Sequence, residues 1–380
     1  MELYFDNSAT TKPYDSVIDV MSRTMREYWG NPSSLHTKGY EAEKKLNEAR
    51  KALLDSLGVR DSHSELFFTS GGTEADNLAI LGTMRAKARN KGKKLITTKS
   101  EHPAILEPAR QLEAEGFEVV YLSCRGGKVD INEYMSALDK NTVMVSIMTV
   151  NNETGAVYDV KKLFGMAKAV SPDIVTHTDA VQAYMKLRLN PEAMKCDMMT
   201  LSGHKIHGPK GIGALYVSAE CIKKRILSPH TYGGGQEKGF RSGTENLPAI
   251  LGFAEAVKTG IYPTSVGELR EYIIKNLPSE IRPNIPAAYA PHILNITLPD
   301  IRSETMLHFL SAKGIYVSSG SACSSNSGHA NYVLPDFGLV ENEADHSIRI
   351  SLDPSLGYDD ADRLIEALKE GLNTLVRSTK

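Results

Sequence analysis

Short runs rich in β-branched and aromatic residues alternate along the chain with segments whose apolar positions recur at helical spacing. Glu65–Thr69 (ELFFT) predicts a strand. Ser70-Gly71-Gly72 follows, then a helix from Thr73 that sets Ala75, Leu78, Ala79 and Leu81 on one side. Lys94–Thr98, Glu118–Leu122 and Val143–Val150 predict further strands, with helices at Ala104–Glu115 and Lys161–Val170 between them. Ile174–Thr178, Met198–Leu201 and Ala214–Val217 continue the series. Such alternation predicts an α/β domain whose mixed, mostly parallel sheet is covered on both faces. After Tyr262-Pro263 the pattern changes: helices are predicted at Leu269–Leu277, Glu304–Lys313 and Asp359–Val376, and strands at Ile293–Leu298 and Ile348–Leu352. We therefore expect a large domain over 15–260 and a small α+β domain made of 1–14 and 261–380. No internal repeat and no acidic or basic tail is visible.

A length of 380 residues exceeds the usual single-core ceiling of about 250–300, which agrees with two domains. Hydrophobic content of 41% with 24% charged residues excludes wholesale disorder. A formal charge of −2 argues against direct binding of nucleic acid, which calls for a basic excess. The longest charge-free stretch, Gly314 to Pro335, is rich in Ser, Gly and Asn and cannot be a membrane helix. Met1-Glu2 opens a start without an apolar run, and Cys124, Cys196, Cys221 and Cys323 include no close pair. The expectation is a soluble protein of a reducing, cytoplasmic compartment.

Five segments carry candidate chemistry, and each has a bland reading beside it. Ser70-Gly71-Gly72-Thr73-Glu74, between strand and helix, suits either phosphate binding or a capped turn. Asp179, just past a strand end, suits either the partner of a protonated ring nitrogen or a helix cap. Lys205 lies in the glycine-bounded loop Ser202-Gly203-His204-Lys205-Ile206-His207-Gly208. There it suits a Schiff-base lysine, with Ser202 and His204 as phosphate donors, or a solvated basic loop. Cys323 lies in a run of small polar residues, unlike the other cysteines, which sit in or beside apolar segments. It is the nucleophile candidate. Arg349, within Ser347–Leu352, is either an exposed strand residue or a clamp for a carboxylate.

Taken in order, Thr73, Glu101-His102, Asp179, Gln182, Ser202-Gly203-His204-Lys205, Ser318-Ser319-Gly320-Ser321-Ala322-Cys323 and Arg349 resemble the NifS/IscS-type cysteine desulfurases. These are class V aminotransferase-type enzymes of pyridoxal-phosphate fold type I. The resemblance runs from Tyr4-Phe5-Asp6-Asn7 to about Leu352, through Asn151-Asn152-Glu153-Thr154-Gly155 and Arg241-Ser242-Gly243-Thr244. It implies a pyridoxal 5'-phosphate cofactor carried by Lys205, with Asp179 at the ring nitrogen, Gln182 at the ring hydroxyl and His102 on the ring face. Gly72, Thr73, Ser202 and His204 would hold the phosphate, joined by Thr244 from a second subunit of a homodimer. Asn152 and Arg349 would hold the carboxylate of L-cysteine, and Cys323 would take its sulfur as a persulfide. The acceptor would be an iron–sulfur scaffold or a tRNA-thiolation protein. A selenocysteine lyase or another class V aminotransferase would share the cofactor site, and a catalytically dead homologue would be expected to lack Lys205 or Asp179. Two departures are visible: Ser8 stands where Ala is usual, which looks harmless, and Asp353-Pro354-Ser355-Leu356 replaces the usual continuation. The second bears on scaffold docking rather than on chemistry.

Overall fold

The computed structural model describes residues 2–87, 92–260, 265–319 and 331–375. Its strands are β1 (Leu3–Tyr4), β2 (Glu65–Thr69), β3 (Lys94–Thr98), β4 (Glu118–Leu122), β5 (Thr142–Ser146) and β6 (Val175–Asp179). They continue as β7 (Met198–Ser202), β8 (Gly213–Val217), β9 (Arg282–Asn284), β10 (Ile293–Thr297), β11 (Ile315–Tyr316) and β12 (Ser347–Ser351). A seven-stranded sheet runs in the order β2-β8-β7-β6-β5-β3-β4. Only β8 is antiparallel to its neighbours, so β2, β3, β5, β6 and β7 end at one edge. The sheet is mixed and mostly parallel, as expected.

The period-2 alternation of these strands divides their side chains between two cores. Leu66, Phe68, Met199, Leu201, Ala214 and Tyr216 face one layer, built with Ala42, Leu46, Ala49 and Leu53 of helix Thr37–Ser56 and Ile250 and Phe253 of helix Leu247–Thr259. Phe67, Met198, Leu215 and Val217 face the other, with Ala75, Leu78 and Ala79 of helix Gly72–Lys87 and Ile105, Ala109 and Leu112 of helix Pro103–Ala114. A third core joins Leu3 and Phe5 to Leu269, Ile273, Leu294, Ile296, Ile348, Ile350, Leu364 and Leu368. It is served by the antiparallel sheet β12-β10-β9 and by β1, which pairs parallel with β11.

The strand expected over Val143–Val150 stops at Ser146. Beyond it the Ile147 and Thr149 amides still reach the His177 and Asp179 carbonyls of β6, but the Met148 amide between them donates to the Glu101 carboxylate at 2.8 Å, a partner that a strand pattern does not reveal.

Candidate active site

Five strands of the sheet deliver a polar or glycine residue at or beyond their carboxyl ends, where open α/β sheets place their ligand crevice. Asp179 ends β6 and Ser202 ends β7. Gly72 and Thr73 follow β2, His102 follows β3 and Asn152 follows β5. Together with Gln182, His204, Lys205 and Arg349 they line a single cavity of about 220 Å³.

Local chemistry fixes each of these side chains. Gly72 opens its helix where a Cβ would stand 2.9 Å from Val181 Cγ2, so the backbone approaches the cavity only because the side chain is missing. Glu74 does accept from the Ser70 amide at 2.6 Å, so the capping reading of this turn also holds. His102 caps helix Pro103–Ala114, its Nδ1 accepting from the Ala104 amide at 3.1 Å. Asp179 accepts from the Val181 amide at 2.8 Å while facing the cavity. The turn before Asn152 is held by Asn151, whose side-chain oxygen takes the amides of Glu153 and Thr154.

Lys205 follows β7 in a short turn, and its amine donates to the carbonyls of Ser8 (2.6 Å) and Ala9 (2.7 Å). A solvated basic loop would not pack this way. Arg349, 1% exposed on β12, donates to the Asn152 carbonyl and to Asp6 Oδ1, each at 2.8 Å.

Burial sets the electrostatics. It pushes the His102 imidazole down to about 4, with the Lys205 charge adding to the effect. Burial does the same to His204, also to about 4, again with Lys205 next. Asp179 rises to about 6 because burial outweighs its amide bond and the Lys205 charge. Asp76 lies beside it in the same cavity and is pushed well above the carboxylate range, by burial first and then by Asp179.

Several enclosed polar atoms here have no hydrogen-bond partner: Ser202 Oγ, Gln182 Oε1, Ser8 Oγ and Arg349 Nε. Such groups are costly unless a ligand satisfies them. A phosphate-bearing heteroaromatic ring with a hydroxyl fits the set. Ser202 and the Gly72 turn would meet the anion, Gln182 Oε1 would meet the hydroxyl, and Asp179 would meet a ring N–H.

Two expected residues stand apart. Thr244 is exposed and does not line the cavity. Cys323 lies outside the described residues. The segment that holds it is flanked by Ser318, whose backbone exchanges hydrogen bonds with Arg349 (2.7 and 3.1 Å), and by Tyr332, whose hydroxyl donates to the Glu101 carbonyl at 2.8 Å. The other three cysteines are buried, and burial pushes the Cys124 thiol up to about 12. Sequence reasoning missed Asp76, although an acid on the otherwise apolar face of the helix begun by Gly72 was a usable signal. It also treated Ser8 and Asp353 as peripheral. Ser8 lines the cavity, and Asp353 Oδ2 bonds His207 Nε2 at 2.8 Å, two residues beyond Lys205.

The sequence profile of the aminotransferase class-V family matches residues 3–364. A NifS/IscS protein homologue of Lactobacillus delbrueckii subsp. bulgaricus is 41% identical over 97% of this chain and 96% of its own. The protein named cysteine desulfurase IscS in Escherichia coli O139:H28 is 39% identical over 99% and 94%. Among solved structures, a NifS-like protein superposes with a TM-score of 0.90 at 34% identity, covering 99% of this chain and 100% of its own. SspA in complex with cysteine does so at 0.82 and 34%, covering 93% and 99%. Shared sequence over nearly the whole length, on a shared fold, settles the relationship: this chain belongs to the aminotransferase class-V family, among its NifS/IscS-type cysteine desulfurases.

Proposed function

We propose that the chain removes sulfur from L-cysteine, leaving L-alanine and a persulfide on Cys323 for transfer to an acceptor. The observation that carries this reading is the gathering of Lys205, Asp179, His102 and Arg349 in one cavity whose wall also anchors Ser318. Cys323 lies five positions beyond Ser318, a reach of up to about 17 Å for extended chain.

Pyridoxal phosphate, when bound, supplies the electron sink for carbanion chemistry at Cα. The phosphate-end donors are Gly72, Thr73, Ser202 and His204; Asp179, Gln182 and His102 serve the ring. Arg349 and Asn152 orient the substrate carboxylate, which fixes the Cα–H bond relative to Lys205 Nζ. Lys205 Nζ takes that proton and later returns one, and neutral His102 assists through Nε2. The Cys323 thiolate attacks the substrate sulfur. An S–S bond forms and the Cβ–S bond breaks, and the carbon fragment keeps the electron pair and gains a proton to become alanine.

Residues 15–260 form the cofactor domain in this reading, and 1–14 with 261–380 the small domain. The separate core of Leu3, Phe5 and residues beyond 265 supports that division. We read the working unit as a cytoplasmic homodimer and the acceptor as an iron–sulfur scaffold or a tRNA-thiolation protein. Among the described residues no helix is long and apolar enough to cross a membrane.

Replacing Cys323 by Ser tests the covalent role. The variant should fold and bind cofactor, and its cysteine-dependent spectral change should survive. Sulfide release should fall by on the order of 10³ or more, with no persulfide. Alanine and sulfide at the parental rate would remove Cys323 from the chemistry.

A further inference from the structure

A second chamber, about 40 Å³ in volume, shares Lys205 with the main cavity and has Lys186 and His292 in its wall. The two amines sit in opposite surroundings. Lys205 Nζ lies against two backbone carbonyls, which favour its ammonium form. The Lys186 amine is fully enclosed and finds no hydrogen-bond partner, which favours its neutral form.

The charges facing Lys186 do not relieve this. Asp353 gives Oδ2 to His207 and Oδ1 to the amide and hydroxyl of Ser355. His207 presents Nδ1 to the Lys12 carbonyl at 2.9 Å and Nε2 to the Asp353 carboxylate. Both oxygens of the Asp353 carboxylate are therefore engaged by His207 and Ser355 rather than by Lys186. Arg349 and Lys205 add positive charge, and His292, 2% exposed and held well below the ordinary histidine range by burial, stays neutral. Tyr14 stacks on the His207 ring and closes the wall. The chamber exceeds the roughly 10–15 Å³ that a water needs, and the unpartnered Lys186 amine would hold one.

We propose that Lys186 is the proton acceptor for Lys205, reached through water in this chamber. The inference rests on the reading of Lys205 as the base. When the Lys205 amine has taken the substrate's Cα proton, an ammonium proton passes through chamber water to neutral Lys186. Lys205 is left as a free amine and Lys186 as an ammonium. Lys186 exchanges the proton with bulk water on the side of His207, whose side chain is 17% exposed, and the same path in reverse resupplies Lys205 with the proton it later returns. Burial, then the Lys205 charge, pushes the Lys186 amine down to about 7, where it exchanges readily with neutral water. Lys186 acts only through Lys205.

The test uses the holoenzyme turning over L-cysteine. Lys186→Ala should lower kcat by on the order of 10² with KM little changed. Methylamine, which fits the vacated space, should restore the rate in a concentration-dependent way, and tetramethylammonium should not. Lys186→Met, which keeps the volume, should lose the rise in kcat that the parent shows as pH increases through about 7. Full kcat in Lys186→Ala, no rescue by methylamine, or a retained inflection in Lys186→Met would each overturn the relay. A parent holoenzyme that does not convert cysteine would instead overturn the desulfurase reading, so the two failures are distinct.

Discussion

The His102 imidazole accepts from the Ala104 amide at Nδ1, so its single proton sits on Nε2 while the ring stays neutral. That neutrality has a measurable cost in acid. An unfolded chain protonates this residue near 6.5, whereas burial beside Lys205 holds the folded group near 4. Its contribution is therefore intact above pH 6.5 and is lost as pH falls toward 4, by about 3 kcal/mol at most for a shift of this size. Asp179 and Glu101 work the other way: burial raises them to about 6 and about 8, so the fold binds their protons more tightly than the unfolded chain does. Comparing parent and His102→Gln isolates the histidine. Urea unfolding of the cofactor-free protein should show the parent losing more stability than the variant between pH 6.5 and 4. Parallel pH profiles would mean that His102 is protonated in the fold. None of this was legible from the sequence, where Glu101-His102 marks only a family pattern. The charge that adds to its burial comes from Lys205, which lies 103 positions away along the chain.

At the scale of elements, the strands were the most legible feature, because buried parallel strands read as short continuous apolar runs. Helix Thr37–Ser56 was harder to see: its core face is Ala42, Leu46, Ala49 and Leu53, and alanines weaken the apolar stripe among many charges. The pairs β1 and β11 are two residues each, too short for any periodicity. Gly-rich turns were readable as turns, but their necessity was not. At Gly72 it comes from Val181, delivered by the loop after β6, against which a Cβ would stand at 2.9 Å. Gly72→Ala must displace either the helix start or Val181, and overpacking of this kind typically costs about 1–3 kcal/mol. We expect cofactor affinity to fall by on the order of 10-fold. Adding Val181→Ala should recover most of it, because the offending methyl is gone while the Val181 amide still serves Asp179. Equilibrium dialysis of cofactor against the parent, Gly72→Ala and the double variant reads this out, and no recovery in the double variant would place the defect elsewhere.

For the molecule as a whole, the exposed apolar residues bear on assembly. Met25, Trp29, Leu35, Tyr40 and Tyr232 are each more than half exposed, and Leu35 is 106% exposed. Four of them run from the last turn of helix Asp15–Glu27 to the first turn of helix Thr37–Ser56. Single exposed apolar residues are ordinary, but such a concentration marks an association surface. Thr244 is exposed as well and absent from the cavity of its own chain. The proposed homodimer, in which Thr244 would complete the neighbour's site, would account for both facts, and two-fold pairing is the commonest oligomeric arrangement. Heterodimers made from Thr244→Ala and Lys205→Ala chains separate the possibilities, provided each homodimeric variant is itself impaired. If Thr244 acts across the interface, one site of the heterodimer receives both lesions and the other receives none. The heterodimer should then retain about half the parental rate, carried by one unaltered site. If Thr244 serves its own subunit, each site carries one lesion, and activity should not exceed half that of the Thr244→Ala homodimer.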